Sequence, residues 1–99
     1  MFGKLAEAKQ KADEIKQRLE TITVVGEAES GAVKVTATGN RRIVDVFIDE
    51  KLLGDREQLQ DILTVAVNRA LEKADNLAET EMSALTSQLL PGLGNMFGG

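Results

Sequence analysis

An α+β fold is predicted for this chain by two helix-periodic stretches that bracket a β-rich middle. The first stretch spans residues 3 to about 21 and the second spans 55 to about 90. Between them lie three short segments of β-branched and alternating residues, separated by Gly-containing turns. That order reads as an N-terminal helix, a three-stranded antiparallel β-meander, a long C-terminal helix and a flexible Gly-rich tail.

The first helix carries Leu5, Ala8, Ala12, Ile15, Leu19 and Ile22 at steps of three and four, the spacing of an apolar seam meant for another helix. Lys4, Lys11 and Arg18 border one side of this seam, and Lys9 and Lys16 border the other. Two readings of these cations stand. Glu7–Lys11 and Glu14–Arg18 are i,i+4 pairs in the favourable order, worth about 0.2–0.5 kcal/mol each. Alternatively, the cations contact phosphates along an arm.

The β-branched run Thr21–Val25 predicts a first strand, with Gly26 marking a bulge or bend. Glu29-Ser30-Gly31 signals a turn. Ala32 to Thr38 alternates, and Gly39-Asn40 signals the next turn. Arg41 to Asp49 resumes alternation, with Val44, Val46 and Ile48 on one face and Ile43, Asp45, Phe47 and Asp49 on the other. Arg41 and Arg42, adjacent on a strand, point to opposite faces. They are either surface charges or a phosphate clamp at the hairpin tip. Leu52 and Leu53 are expected to close the end of the core.

The long helix starts at Asp55, a candidate N-cap with Gln58 three residues on, and stops at Pro91-Gly92. Its apolar residues run from Leu59 to Leu89 at helical steps without Gly or Pro. At 1.5 Å per residue it is roughly 50 Å long, against a radius of gyration of about 13 Å for a compact domain of this size. Such a helix overhangs its own domain. The overhang predicts a homodimer with projecting helical arms, and open sheet edges offer a second route to pairing. A break near Asp75-Asn76, folding the helix back, is the alternative. Residues 1–90 form one domain, and 91–99 form the tail.

The chemistry available is sparse. The 99 residues hold three Phe, no Trp, Tyr, Cys or His, and a net charge of −4. Without His there is neither the commonest general base nor an activator for Ser30, Ser83 or Ser87, so no enzyme is expected. Asp45 and Asp49 share a strand face and could meet a divalent cation, but a solvated strand end explains them as well; no metal or cofactor is expected. Gly92-x-Gly94 lacks the Lys-Ser/Thr of a phosphate loop. No apolar run can span a membrane and the start does not read as a secretory signal, so the expected address is the cytoplasm. Charge is uneven. Residues 2–20 carry five basic and four acidic groups, whereas 51–99 carry four and seven. A polyanion would meet the first helix before any other part.

Several stretches together resemble a known family. They are Gly26-Glu27-Ala28-Glu29-Ser30-Gly31 leading into Val33-Lys34-Val35-Thr36; Val46-Phe47-Ile48-Asp49 with Leu52-Leu53; Asp55-x-Glu57-x-Leu59-x-Asp61; Ala66-x-Asn68-x-Ala70; and Met1-Phe2-Gly3-Lys4 with Leu85-Thr86 and Pro91-Gly92-Leu93. In this order and spacing the chain resembles the YbaB/EbfC family of nucleoid-associated DNA-binding proteins. The resemblance implies a homodimer whose helices reach around double-stranded DNA in the nucleoid. It carries no contact residue over by itself. The candidate DNA-binding residues, Lys4, Lys9, Lys11, Lys16 and Arg18 with Arg41 and Arg42 as secondary contacts, follow from charge and position alone. The rival is a protein-interaction module, with an unidentified protein partner bound by the apolar overhang, the sheet edges and Leu93, Met96 and Phe97.

Overall fold

The structure is a computed structural model that describes the backbone of residues 2–89 and the side chains of 3–87. The expected tail, 91–99, lies outside the described residues. Helix α1 spans Phe2–Thr21. Strands β1 (Thr23–Ala28), β2 (Val33–Thr38) and β3 (Ile43–Ile48) form an antiparallel sheet in the order β1-β2-β3. A single 3-10 turn, Glu50–Leu52, leads to helix α2, Arg56–Leu89.

Helix α2 is unbroken over 34 residues, so the fold-back near Asp75-Asn76 does not occur. Its start is capped: the Asp55 carboxylate accepts from the Gln58 N–H at 3.1 Å, satisfying one of the helix's unpaired amides. The reciprocal half of a capping box is absent, because the Asp55 N–H donates to the Leu52 carbonyl instead. The molecule measures 61 × 29 × 15 Å with a radius of gyration of 18.3 Å, well above the value for a compact chain of this length. The elongation comes from α1 and the distal half of α2, which project beyond the sheet.

The core lies between α2 and one face of the sheet. Val33, Val35 and Ala37 of β2 meet Ile62, Ala66 and Ala70 of α2, all buried, with Leu52 closing one end. Leu53, expected beside it, is 64% exposed. The turn carries only one of two adjacent leucines inward. Strand β1 begins at Thr23 rather than Thr21, because α1 continues through Thr21, whose hydroxyl donates back to the Arg18 carbonyl. Local strand preference yields there to helix propagation and packing.

Gly26 is not a bulge. It pairs with Val35 in an uninterrupted β1–β2 register. A Cβ there would lie 2.3 Å from both the Ala66 carbonyl oxygen and the Ala70 nitrogen, so Gly26 is what lets α2 lie directly on the strand. The irregularity sits in β3. Ile43 pairs with Ala37 and Asp45 with Thr36, leaving Val44 as the extra residue. Cross-strand partners share a face, so Ile43 joins Val46 and Ile48 on the α2 side, and Val44 does not. Strict alternation along Arg41–Asp49 therefore misplaces both Ile43 and Val44.

The two sheet edges differ. Along β1, Arg69 and Lys73 of α2 donate to the Glu27 and Val25 carbonyls at 2.7 and 2.8 Å, occupying acceptors that another strand would need. Along β3, Ile43, Val44, Val46 and Phe47 are all exposed, Phe47 at 50%. Helix α2 covers β1 and β2 and stops short of β3.

Candidate nucleic-acid interface

Helices α1 and α2 meet where Leu19 of α1 and Leu85 of α2 are buried, while Leu5 near the tip of α1 is 66% exposed. Between them runs an open groove of about 790 Å³, with Lys11, Glu14, Ile15 and Arg18 on one wall and Thr80, Glu81, Ala84, Leu85 and Ser87 on the other. Ile15, Ala84 and Leu85 supply its apolar lining, and Lys11, Glu14, Arg18 and Glu81 its charged groups.

The seven candidate residues divide by chemistry. Lys4, Lys9 and Lys16 are exposed along α1, and Lys11 is half-buried at the groove. Among the described residues none of these four lysines forms an ion pair. All three arginines do. Arg18 meets Glu81 of α2 at 2.5 Å, Arg42 meets Glu20 of α1 at 2.5 Å, and Arg41 meets Asp75 of α2 at 3.4 Å. The Arg18 pair is asymmetric: Arg18 is 62% exposed while Glu81 is only 16% exposed, so the guanidinium stays open to solvent above a sheltered carboxylate.

Arg41 and Arg42 do not alternate as strand residues. Strand β3 begins at Ile43, and Arg41 occupies a left-handed turn position with φ of 67°. The tight return from Thr38 to Arg42 turns one arginine to each helix. Sequence reasoning missed this. It also missed Asn40, whose amide nitrogen donates at 2.8 Å both to the Lys16 carbonyl and to Glu20. The sequence marked Asn40 only as a turn former.

The Glu20 carboxyl is held below its ordinary pKa. The hydrogen bond from Asn40 is the main cause and Arg42 the next, both favouring the charged form over the opposing effect of burial. A depressed carboxylate pKa stabilises the fold above the unfolded value, and that contribution is lost as pH falls through the folded value. At neutral pH Glu20→Gln is therefore expected to melt below the unchanged chain. The gap is expected to narrow as the pH falls below the ordinary glutamate range and to close in stronger acid, where Glu20 is protonated in the folded chain too. Thermal melts of both proteins across that range check it; a gap that persists in acid contradicts it.

A model of the YbaB/EbfC DNA-binding family matches residues 1–89. The chain belongs to the YbaB/EbfC family. A nucleoid-associated protein of Flavobacterium johnsoniae is 39% identical over 100 residues, covering 98% of this chain and 94% of that one. A nucleoid-associated protein of Chlorobium phaeobacteroides strain BS1 is 40% identical over 92 residues, covering 93% of this chain and 83% of its own. An uncharacterized protein of Helicobacter pylori, known by crystal structure, superposes with a TM-score of 0.68 at 24% identity, covering 77% of this chain and 90% of that one. That likeness bears on the fold alone. Among the described residues no helix is long and apolar enough to cross a membrane.

Proposed function

We propose that this chain is a non-catalytic, nucleoid-associated protein of the cytoplasm that binds double-stranded DNA as a homodimer, through phosphate contacts from its helical arms. It acts in chromosome organisation and gene expression. The observation that carries the reading is the set of four lysines on the projecting α1, none engaged by a carboxylate among the described residues. Unpaired lysines on a protruding helix can neutralise phosphates without first giving up a partner. Arg18 and Arg41 start from internal carboxylates and contribute less, and Arg42 stays with Glu20 at the base of α1. Exposed pairs are worth only about 0–1 kcal/mol, but Glu81 is sheltered, so moving Arg18 to a phosphate leaves that carboxylate unpaired and costs more than an exposed pair would. Contacts of this kind fix position and carry little sequence preference.

Support for the homodimer comes from β3. Its apolar side chains are exposed on both faces, no helix among the described residues lies across its edge, and β1 is sealed by Arg69 and Lys73. A second copy would cover Ile43 and Val46 beside the half-buried Leu63 and Val67 of α2. The same exposed strand favours a rival, a module that docks another protein and leaves DNA alone.

One experiment separates the two. Sedimentation and duplex binding are measured at low salt for the unchanged chain and for Val46→Asp. The dimer reading predicts a two-copy species that binds two unrelated duplexes equally, and a Val46→Asp chain that sediments as one copy and binds more weakly. A single-copy species that ignores both duplexes overturns it.

A further inference from the structure

The β2–β3 turn does more than reverse the chain, because it grips both helices at once. The Gly39 N–H donates to the Leu19 and Ile22 carbonyls at 3.0 and 2.9 Å, at the C-terminal end of α1. A Cβ on Gly39 would stand 2.7 Å from a Leu19 methyl, so the turn touches the helix without a side chain between them. The Asn40 amide bridges the Lys16 carbonyl and Glu20, and Arg42 meets the other Glu20 oxygen. One residue away, Arg41 reaches Asp75 on α2. The turn is braced from within: the buried Thr38 hydroxyl accepts from the Asn40 and Arg42 N–H groups at 3.2 and 3.3 Å. Arg41 holds a left-handed conformation that costs a non-glycine residue roughly 1 kcal/mol, so the surrounding bonds fix its place.

We infer that the Thr38–Arg42 turn sets the angle between α1 and α2, and that Asn40, with the Glu20–Arg42 pair, consists of positioning residues for DNA binding. Beyond this grip α1 is tied to α2 by a thin seam and by Arg18–Glu81. A small rotation at the base is amplified along a helix of 20 residues, about 30 Å. Lysines at Lys4 and Lys9 near the tip then move by several times the displacement at Glu20. Lysines held in one register with a rigid duplex lose fewer conformations on binding than lysines on a swinging helix. The inference rests on the DNA-binding reading for its consequence but not for its geometry.

The chain has no cysteine, so two introduced thiols are unique labelling sites. Spin labels at Ala6→Cys and Ser83→Cys, both exposed, report the separation of the arms when the labelled chain is diluted with unlabelled copies. The unchanged background is expected to give one narrow distance. Asn40→Ala, and the milder Glu20→Gln, are expected to broaden it while helix content stays intact. Duplex affinity is then expected to fall about tenfold for Asn40→Ala. Arg42→Gln distinguishes positioning from contact. A positioning role weakens binding with the salt dependence unchanged, whereas a direct phosphate contact lowers the slope by about 0.9 per chain. A narrow, unshifted distance in Asn40→Ala and Glu20→Gln overturns the inference, as does a reduced slope in Arg42→Gln. If the unchanged chain binds no duplex, the DNA-binding reading fails, and the distance measurement still decides whether the turn sets the arms.

Discussion

Gly26→Ala is expected to unseat α2 from the sheet. The added methyl would fall 2.3 Å from the Ala66 carbonyl oxygen and from the Ala70 nitrogen, and both are backbone atoms with no rotamer to give way. Relief requires the helix to lift from β1. Lifting opens the contact made by Ala66, Ala70 and the buried Val33 and Val35. Overpacking usually costs about 1–3 kcal/mol and backbone clashes more. A domain of this size has about 5–15 kcal/mol in total, and often the lower end. The expected result is a melting temperature lower by more than about 10 °C, or a chain that does not fold at 37 °C. Glycine is disfavoured in strand interiors for its entropy. Gly26→Ala therefore stabilises in the absence of a neighbour, and an unchanged or raised melting temperature would contradict the close approach.

The second large effect is expected at the arm. Replacing Lys4, Lys9, Lys11 and Lys16 together by Gln removes four charges from α1, and eight from a pair of chains. Gln keeps helix propensity close to that of Lys, and the buried Leu19 and half-buried Ile15 of the seam are untouched. The Lys16 carbonyl still accepts from Asn40, because that bond uses backbone. Stability is expected to change by less than about 0.5 kcal/mol, as for surface substitutions generally. Duplex affinity at low salt is expected to fall by at least about a hundredfold, since counterion release supplies most of such binding. Anisotropy of a labelled duplex measures it. Undiminished binding would move the interface away from the α1 lysines and onto the arginines or β3.

Much of the architecture was readable in residue order. The apolar steps from Leu59 to Leu85 with neither Gly nor Pro between them predict an unbroken α2, and Asp55 predicts its cap. The Gly31 and Gly39 turns divide the sheet correctly. What escaped depended on contacts between distant residues. Gly26 looks like a bend until Ala66 and Ala70 are laid against it. Nothing local marks Val44 as the extra residue of a bulge, yet it decides which of Ile43 and Val44 faces α2. Leu52 and Leu53 are alike in sequence, and the 3-10 turn alone sends one inward.

For the candidate interface, the cationic character of α1 was plain from Lys4 to Arg18. The division between its lysines and the three arginines was not. Glu81, Asp75 and Glu20 lie at sequence separations of 63, 34 and 22 from the arginines they meet, and no i,i+4 rule finds such pairs. The resemblance to a DNA-binding family carried no contact residue with it. It therefore could not say which cations are free and which are already engaged.

The salt dependence of duplex binding by the unchanged chain decides whether its arms hold phosphates. Phosphate contacts from the arms require log Kobs to fall linearly with log salt concentration. If all four lysines of both chains engage, the slope approaches about −7; partial engagement gives a shallower but clearly negative value. A net charge of −4 per chain keeps the affinity modest without removing the slope. A flat dependence, or no binding at the lowest salt, would contradict the account.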